Sequence, residues 1–449
     1  MQKKVLKLVL VVVGAILVWV LTFWLFGHTR VTSKATLEFW SVFDDKDNLQ
    51  PLLDDFTNKT GIKVNYRNFT DLQDYRDTLL IELAAGEGPD VLAIHNTWVP
   101  KYKKFLQPLP KEVGYPLKNL DTDFVAAVPQ TLLLEDTDGN DQLYGLPMYV
   151  DSLALFYNKA YFRNILSKAY SAPDLTWAGV RNDSIGLTQV SNSESTGFQL
   201  AGIALGRADN ISRAVDIFYT LYHQLGGGDL TSGGSTSFYK PISDALEFMT
   251  SFSRNIKNKE YSWSKMVTAN LPNQEVSAFA QGRVAMILGF SYYYNEIKNL
   301  LSSTGGTITV DDIGVSPVPQ LEDPLKGGKK IAVADFFALS AAKSSKYPNE
   351  AWRLILDLTS KDSEEKYFAA TKRPTSRRDL IDSEKMDPAV GVFAEQAVYA
   401  DTLKLADDAA FDAAIASVLN RISNNEISVA DGSSELASLF QTTIGKSQE

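Results

Sequence analysis

The 449-residue sequence contains no cysteine. That excludes disulfides, thiolate metal sites and a lipid-modified N-terminal cysteine. Its three histidines, His28, His95 and His223, leave little room for histidine-based catalysis or a zinc centre. Basic charge is also short: the formal net charge is -10, which sets the chain against nucleic acid, whose phosphates select basic faces. No internal repeat at solenoid spacing is present. The acidic stretch 136–142 does not make a calcium loop, because the sixth and twelfth positions from Asp136 are Asp141 and Pro147 instead of glycine and glutamate. The glycines at 226–228 are not followed by a Gly-Lys-Ser/Thr ending, so they form no phosphate loop. No cofactor is expected.

The chain is long and rich in apolar residues, 45% of the total with 11% aromatic. Such a chain buries large cores and is not disordered, and its length exceeds what one core serves, so two domains are expected. The first 30 residues stand apart. Lys3, Lys4 and Lys7 precede a run, residues 8–27, with no charged residue. Those 20 positions suffice for a helix to span a hydrocarbon core roughly 30 Å thick, with the basic flank in the cytoplasm. A cleaved signal peptide is the competing reading, but its apolar region is usually only about 7 to 15 residues long. The length favours a retained single-pass anchor, with everything beyond it outside the cytoplasm.

After a short polar spacer, residues 36–40 read as a strand. Leu49, Leu52, Leu53 and Phe56 fall at helical spacing before Gly61. Ile62, Val64 and Tyr66 alternate as a second strand, and Tyr75, Leu79 and Leu83 mark a second helix closed by Gly86. Residues 89–94 form a buried third strand. Strand and helix in alternation predict a parallel sheet with helices on both faces, and ligands of such sheets lie beyond the carboxyl ends of the strands, here residues 40–43 and 96–98. Residues 144–162 are expected to hold one long buried strand followed by a helix start, and residues 184–190 another strand.

Several motifs in order carry a family resemblance. Residues 84–109, AAGEGPDVLAIHNTWVPKYKKFLQPL, precede YGLP at 144–147 and YNK at 157–159. Further on come Thr176-Trp177, GGGDL at 226–230, and Phe279, Gly282, Ala285 and Met286. KGGKKIAVADFFALS at 326–340 and RPTSRRDL at 373–380 complete the set. From residue 36 to the C-terminus the chain resembles the extracellular solute-binding proteins of ABC importers, family 1. Two positions depart from that pattern: Tyr292 stands where relatives place a tryptophan, and Asp335 and Phe336 stand near a usual glycine.

The resemblance implies a fold of the α/β class, a two-lobed periplasmic-binding-protein-like architecture with a hinge and an interlobe cleft, here with an N-terminal transmembrane helix. The expected division is 1–34 for the anchor and spacer, 35–151 with 333–382 for the first lobe, and 152–332 with 383–449 for the second. It implies a small-molecule solute, a sugar or oligosaccharide for much of the family, ABC permease subunits as partners, and no enzymatic activity. Trp40, Trp98, Tyr149, Tyr292 and Phe336 are the expected stacking residues. Asn96, Asp151, Asp335 and Arg373 are the expected hydrogen-bonding ones, Asp151 because it matches an acidic position beside the hinge strand in the maltose-binding branch. Two other readings stay open: an anchored glycoside hydrolase using two carboxylates such as Asp151 and Asp335, and a sensor that transports nothing.

Overall fold

The computed structural model describes residues 35–446 apart from 192–196, 231–237, 255–256, 268–273, 305–307 and 406–407. The anchor expected over residues 8–27 lies outside the described residues, as does nearly all of the polar stretch 191–196. Among the described residues no helix is long and apolar enough to cross a membrane.

The first lobe follows the expected alternation. β1 (Thr36–Val42) leads to α1 (Lys46–Thr60), which buries Leu49, Leu52, Leu53 and Phe56. β2 (Lys63–Phe69) leads to α2 (Leu72–Ala85), which buries Tyr75, Leu79 and Leu83. Both helices end on a glycine with φ of 76°, Gly61 and Gly86, a left-handed cap that other residues adopt only under strain. β3 (Val91–His95) is apolar and buried from Val91 to Ile94, as suits a central strand of a sheet covered on both faces. β4 (Leu106–Gln107) forms the sheet's far edge.

The stretch 144–162 is broken where one strand was expected. It supplies β5 (Leu146–Pro147), β6 (Asp151–Ser152) and β7 (Ala154–Asn158), each in a different sheet. Every residue from Leu143 to Asn158 is buried, so burial alone imitates one continuous strand. The chain is in fact leaving one lobe, crossing the hinge and entering the other.

After β7 the second lobe continues with α3 (Trp177–Leu187), whose N-cap Thr176 accepts a hydrogen bond from Gly179. The strand expected over 184–190 is corrected here. Trp177, Val180, Ser184 and Leu187 are all buried at the i, i+3, i+7 and i+10 spacing of a helical face, and only Gln189–Val190 is extended. α4 (Ala214–Gln224) and α5 (Tyr239–Ser251) follow. β8 (Met286–Gly289) and β9 (Ile313–Pro317) flank β7 antiparallel on its two sides.

The return crossing is β10 (Ala332–Asp335), and β11 (Phe337–Ala342) re-enters the first sheet. That sheet then runs β2-β1-β3-β11-β4, with β5 also on β11. After α6 (Pro348–Leu358), β12 (Ala400–Asp401) completes a small hinge sheet in the order β12-β10-β6. α7 (Asp408–Ser423) and α8 (Val429–Lys446) close the second lobe.

One close approach inside the second sheet is testable. Gly314 of β9 pairs with Tyr157 of β7, and a Cβ there would lie 2.2 Å from the Tyr157 ring. That ring is buried and packs edge-on against Phe162 at 5.3 Å, so it has little room to move. Gly314→Ala is expected to cost about 1–3 kcal/mol by overpacking. An unchanged urea midpoint would show that the ring swings freely.

Candidate functional site

The end of β3 and the start of α2, at one edge of the first sheet, face a cavity of about 450 Å³. On the first-lobe side its wall is the start of α2, with Leu72, Gln73 and Arg76, and the turn after β3, from His95 to Trp98. The opposite wall is α4 with Arg213, Asp216 and Tyr219, the ring of Phe290 just after β8, and the first turns of α7 with Asp408 and Asp412. Leu153 and Val333 to Asp335, from the hinge strands and the residue beside them, also line it. Residues far apart in the chain meet here because two lobes joined by a hinge leave a cleft between them.

The charged groups of this cavity are largely paired with each other. Asp408 Oδ1 accepts from Arg76 Nη2 at 2.6 Å, and Oδ2 accepts from Arg76 Nη1 at 3.2 Å and from Trp98 Nε1 at 2.7 Å. His95 Nε2 faces Asp335 Oδ2 at 3.0 Å while its Nδ1 meets Thr97 Oγ1 at 2.7 Å. Burial works to lower the His95 pKa, but the Asp335 charge and hydrogen bond outweigh it and raise it. Burial works to raise Asp335, yet His95, Arg213 and Arg373 together hold its carboxyl below the ordinary range. The ion pair is therefore the favoured state of both.

The other acids are held less firmly. Arg213 approaches Asp216 at 3.5 Å, and burial pushes Asp216 up to about 6 against that pull. Tyr219 donates to Asp412 Oδ1 at 2.8 Å, and burial, aided by the charges of Asp216 and Asp408, pushes Asp412 up to about 7. Such groups have hydrogen-bonding capacity to spare and are suited to hydroxyl or amine donors brought by a ligand.

Of the expected site residues, Asn96, Trp98 and Asp335 line the cavity. Asn96 is buried and stitches the end of β3 to the hinge, donating to Ala334 O at 3.2 Å and accepting from Phe336 N at 3.4 Å. The Trp98 ring is sandwiched among Tyr75, Tyr102 and Phe337 at 5.8–6.5 Å, with the Arg76 guanidinium 5.0 Å from it. Tyr292 stacks on cavity-lining Phe290 at 6.4 Å, one layer back. Trp40 is half-buried under the guanidinium of Arg67 at 4.8 Å, and Phe336 is fully buried.

Three expected residues belong to networks beside the cavity. Tyr149 stacks on Tyr367 at 6.3 Å, with Arg373 4.6 Å from its ring. Arg373 also donates to Asp44 at 3.2 Å and to Phe43 O at 3.3 Å. Asp151 is 4% exposed. Its Oδ1 accepts from Ser152 N at 2.8 Å, and its Oδ2 accepts from Ser291 N at 3.0 Å and Ser291 Oγ at 2.7 Å.

Arg76, Arg213, Asp216, Tyr219, Asp408 and Asp412 were not singled out from the sequence. Arg213 immediately precedes a helix and the others sit on helices whose patterns read only as amphipathic, and Arg76 and Asp408 are 332 residues apart. Phe290 stands two residues before Tyr292, one of the expected stacking residues.

The sequence matches the bacterial extracellular solute-binding protein family over residues 52–394. No curated protein matches it. Solved structures share its architecture along nearly the whole described chain. The sugar-binding protein MalE from Xanthomonas citri is 21% identical, with 92% of this chain and 98% of that one covered at a TM-score of 0.73. The GacH receptor of Streptomyces glaucescens, solved unliganded and with acarbose, is 17% identical over 92% and 99% at 0.71. An ABC transporter solute-binding protein from Thermotoga lettingae bound with α-D-tagatose is 21% identical over 92% and 100% at 0.69.

Proposed function

Because the chain belongs to the bacterial extracellular solute-binding protein family, we propose that it captures a sugar or oligosaccharide in the interlobe cavity and delivers it to the permease of an ABC importer. We further propose that residues 8–27 anchor it in the cytoplasmic membrane with both lobes outside. The lobes are assigned to 35–151 with 333–382 and to 152–332 with 383–449.

The observation that carries this reading is the wall of the cavity. Phe290, only 4% exposed, adds an apolar ring to that wall, and Asp216, Arg213 and Asp412 add hydrogen-bonding groups around it. A sugar has C–H faces that stack on rings and hydroxyls that bond to charged groups. The volume of about 450 Å³ falls within the roughly 300–1,000 Å³ of small-molecule sites. A ligand touching both walls contacts them together only when the lobes are closed, so binding drives closure. The bound solutes of the similar structures, tagatose and acarbose among them, fit the same class.

The glycoside hydrolase alternative is disfavoured by Asp151. Both of its oxygens are occupied by protein donors in the interior, which takes Asp151 out of the expected pairing with Asp335 at a scissile bond.

Thermal-shift measurement tests the proposal. Maltotriose, maltose, D-tagatose or D-mannitol at 100 times its dissociation constant is expected to stabilise the protein by about 2.7 kcal/mol. A response confined to peptides or polyamines would keep the binding function and overturn the sugar.

A further inference from the structure

Directly after β1 the backbone passes through Phe43 with φ of +63°. This left-handed region is open to glycine and tolerated by asparagine, but it strains a bulky side chain. The strain is imposed from all sides. Phe43 N donates to Phe69 O at 3.0 Å, and Arg373 Nη2 donates to Phe43 O at 3.3 Å. The next residue, Asp44, accepts from Arg373 at 3.2 Å and from Tyr367 at 2.6 Å through its carboxylate, and from Tyr66 at 2.6 Å through its carbonyl.

The ring held up by this framework does not enter the core, for Phe43 is 49% exposed. An exposed phenylalanine alone needs no explanation; one displayed at the cost of backbone strain does. Its location supplies the explanation. β1 is parallel to β3, so Phe43 emerges on the same sheet edge as His95 to Trp98, which line the cavity.

We propose that Phe43 is an affinity-determining residue, a stacking platform at the cleft mouth for a saccharide unit beyond those the cavity encloses. The inference rests on the sugar reading above. It assigns the ring to the ligand, and it assigns the Arg373–Asp44–Tyr367 cluster to holding that ring out.

Two variants of the full-length protein test it. Phe43→Asn relieves the backbone while removing the ring. It is expected to melt about 2–4 °C higher without ligand and to bind maltotriose about 3- to 10-fold more weakly. Phe43→Leu keeps the strain and loses the flat face, so it should melt as the wild type does and share the weaker binding. Unchanged maltotriose affinity in both variants, with a wild type that binds normally, overturns the role of Phe43 and leaves the sugar reading standing. A ligand-free Phe43→Asn protein that melts lower than the wild type also overturns it, since the ring would then be packing. A wild type that answers no sugar sinks the sugar reading, and the platform's occupant with it.

Discussion

Asp151→Ala is expected to destabilise the ligand-free protein by about 2–4 kcal/mol. The substitution leaves three buried donors, Ser152 N, Ser291 N and Ser291 Oγ, without their acceptor, and each orphaned donor costs about 1–3 kcal/mol before relaxation. Two of them belong to the turn after β8 in the second lobe, whereas Asp151 belongs to the hinge sheet, so the loss falls on the joint between them. Asp151→Asn keeps one acceptor but turns an N–H toward a donor, and should cost less. Chemical denaturation of the ligand-free variants measures both. Full stability in Asp151→Ala would mean that water takes over the carboxylate's bonds.

The same residue sets a pH dependence. Burial raises Asp151 from its ordinary value to about 7 despite its three hydrogen bonds. A carboxyl raised on folding favours the protonated native state. Its contribution is therefore fully present below pH 3.8, the ordinary value, and is lost as pH rises to about 7, at about 1.4 kcal/mol per pH unit. Burial raises Asp412 to about 7 and Glu384 to about 8 as well, in the same direction. Asp335, Asp387 and Asp401 are lowered, so they lose stability only as pH falls into the acid range. The melting temperature should accordingly drop between pH 5 and pH 8, and Asp151→Asn should flatten that drop. A wild-type curve rising over this interval would contradict the assignment.

What could be read from the sequence was what periodicity encodes. β1 to β3 and their helices follow from the spacing of Leu49, Leu52, Leu53 and Phe56, or of Tyr75, Leu79 and Leu83, because each face packs on one continuous sheet. Residues 144–162 misled for the opposite reason. Their apolar character reflects burial in three successive environments, and nothing local marks where one sheet hands the chain to the next. Ser184 and Leu187 read as strand residues because a buried helical turn and a short buried strand share a composition, and the helix is fixed only by reading back to Trp177. Asp151, which the resemblance marks as a hydrogen-bonding site residue, is an interior acceptor at the hinge. The opposing wall was illegible because Asp216, Asp408 and Asp412 look like any exposed helix acids until the topology brings α4 and α7 across from α2.

That opposing wall carries the largest expected effect on binding. Asp408 on α7 reaches across the cleft to α2 and to the turn after β3, and all three of its donors, two from Arg76 and one from Trp98, lie on the far lobe. The Arg76 and Asp408 side chains are only 14% and 13% exposed, so the pair is shielded from solvent. Removing one partner of a shielded pair leaves the other charge unpaired and costs about 3–5 kcal/mol. In the proposed binding cycle, opening of the lobes parts this contact and hydrates both groups. Asp408→Ala should therefore leave the ligand-free melting temperature nearly unchanged and shift the open-closed equilibrium instead. Apparent affinity falls in proportion to the closed population, and about 3 kcal/mol corresponds to a loss of about 100-fold. Arg76→Ala should weaken binding similarly, and the double variant should lose little more than either, because both act on one contact. Calorimetry with maltotriose and small-angle scattering of the ligand-free variants check the scheme. An additive double variant, or an Asp408→Ala protein that binds as tightly as the wild type with an unchanged radius of gyration, would show that the lobes close without this bridge.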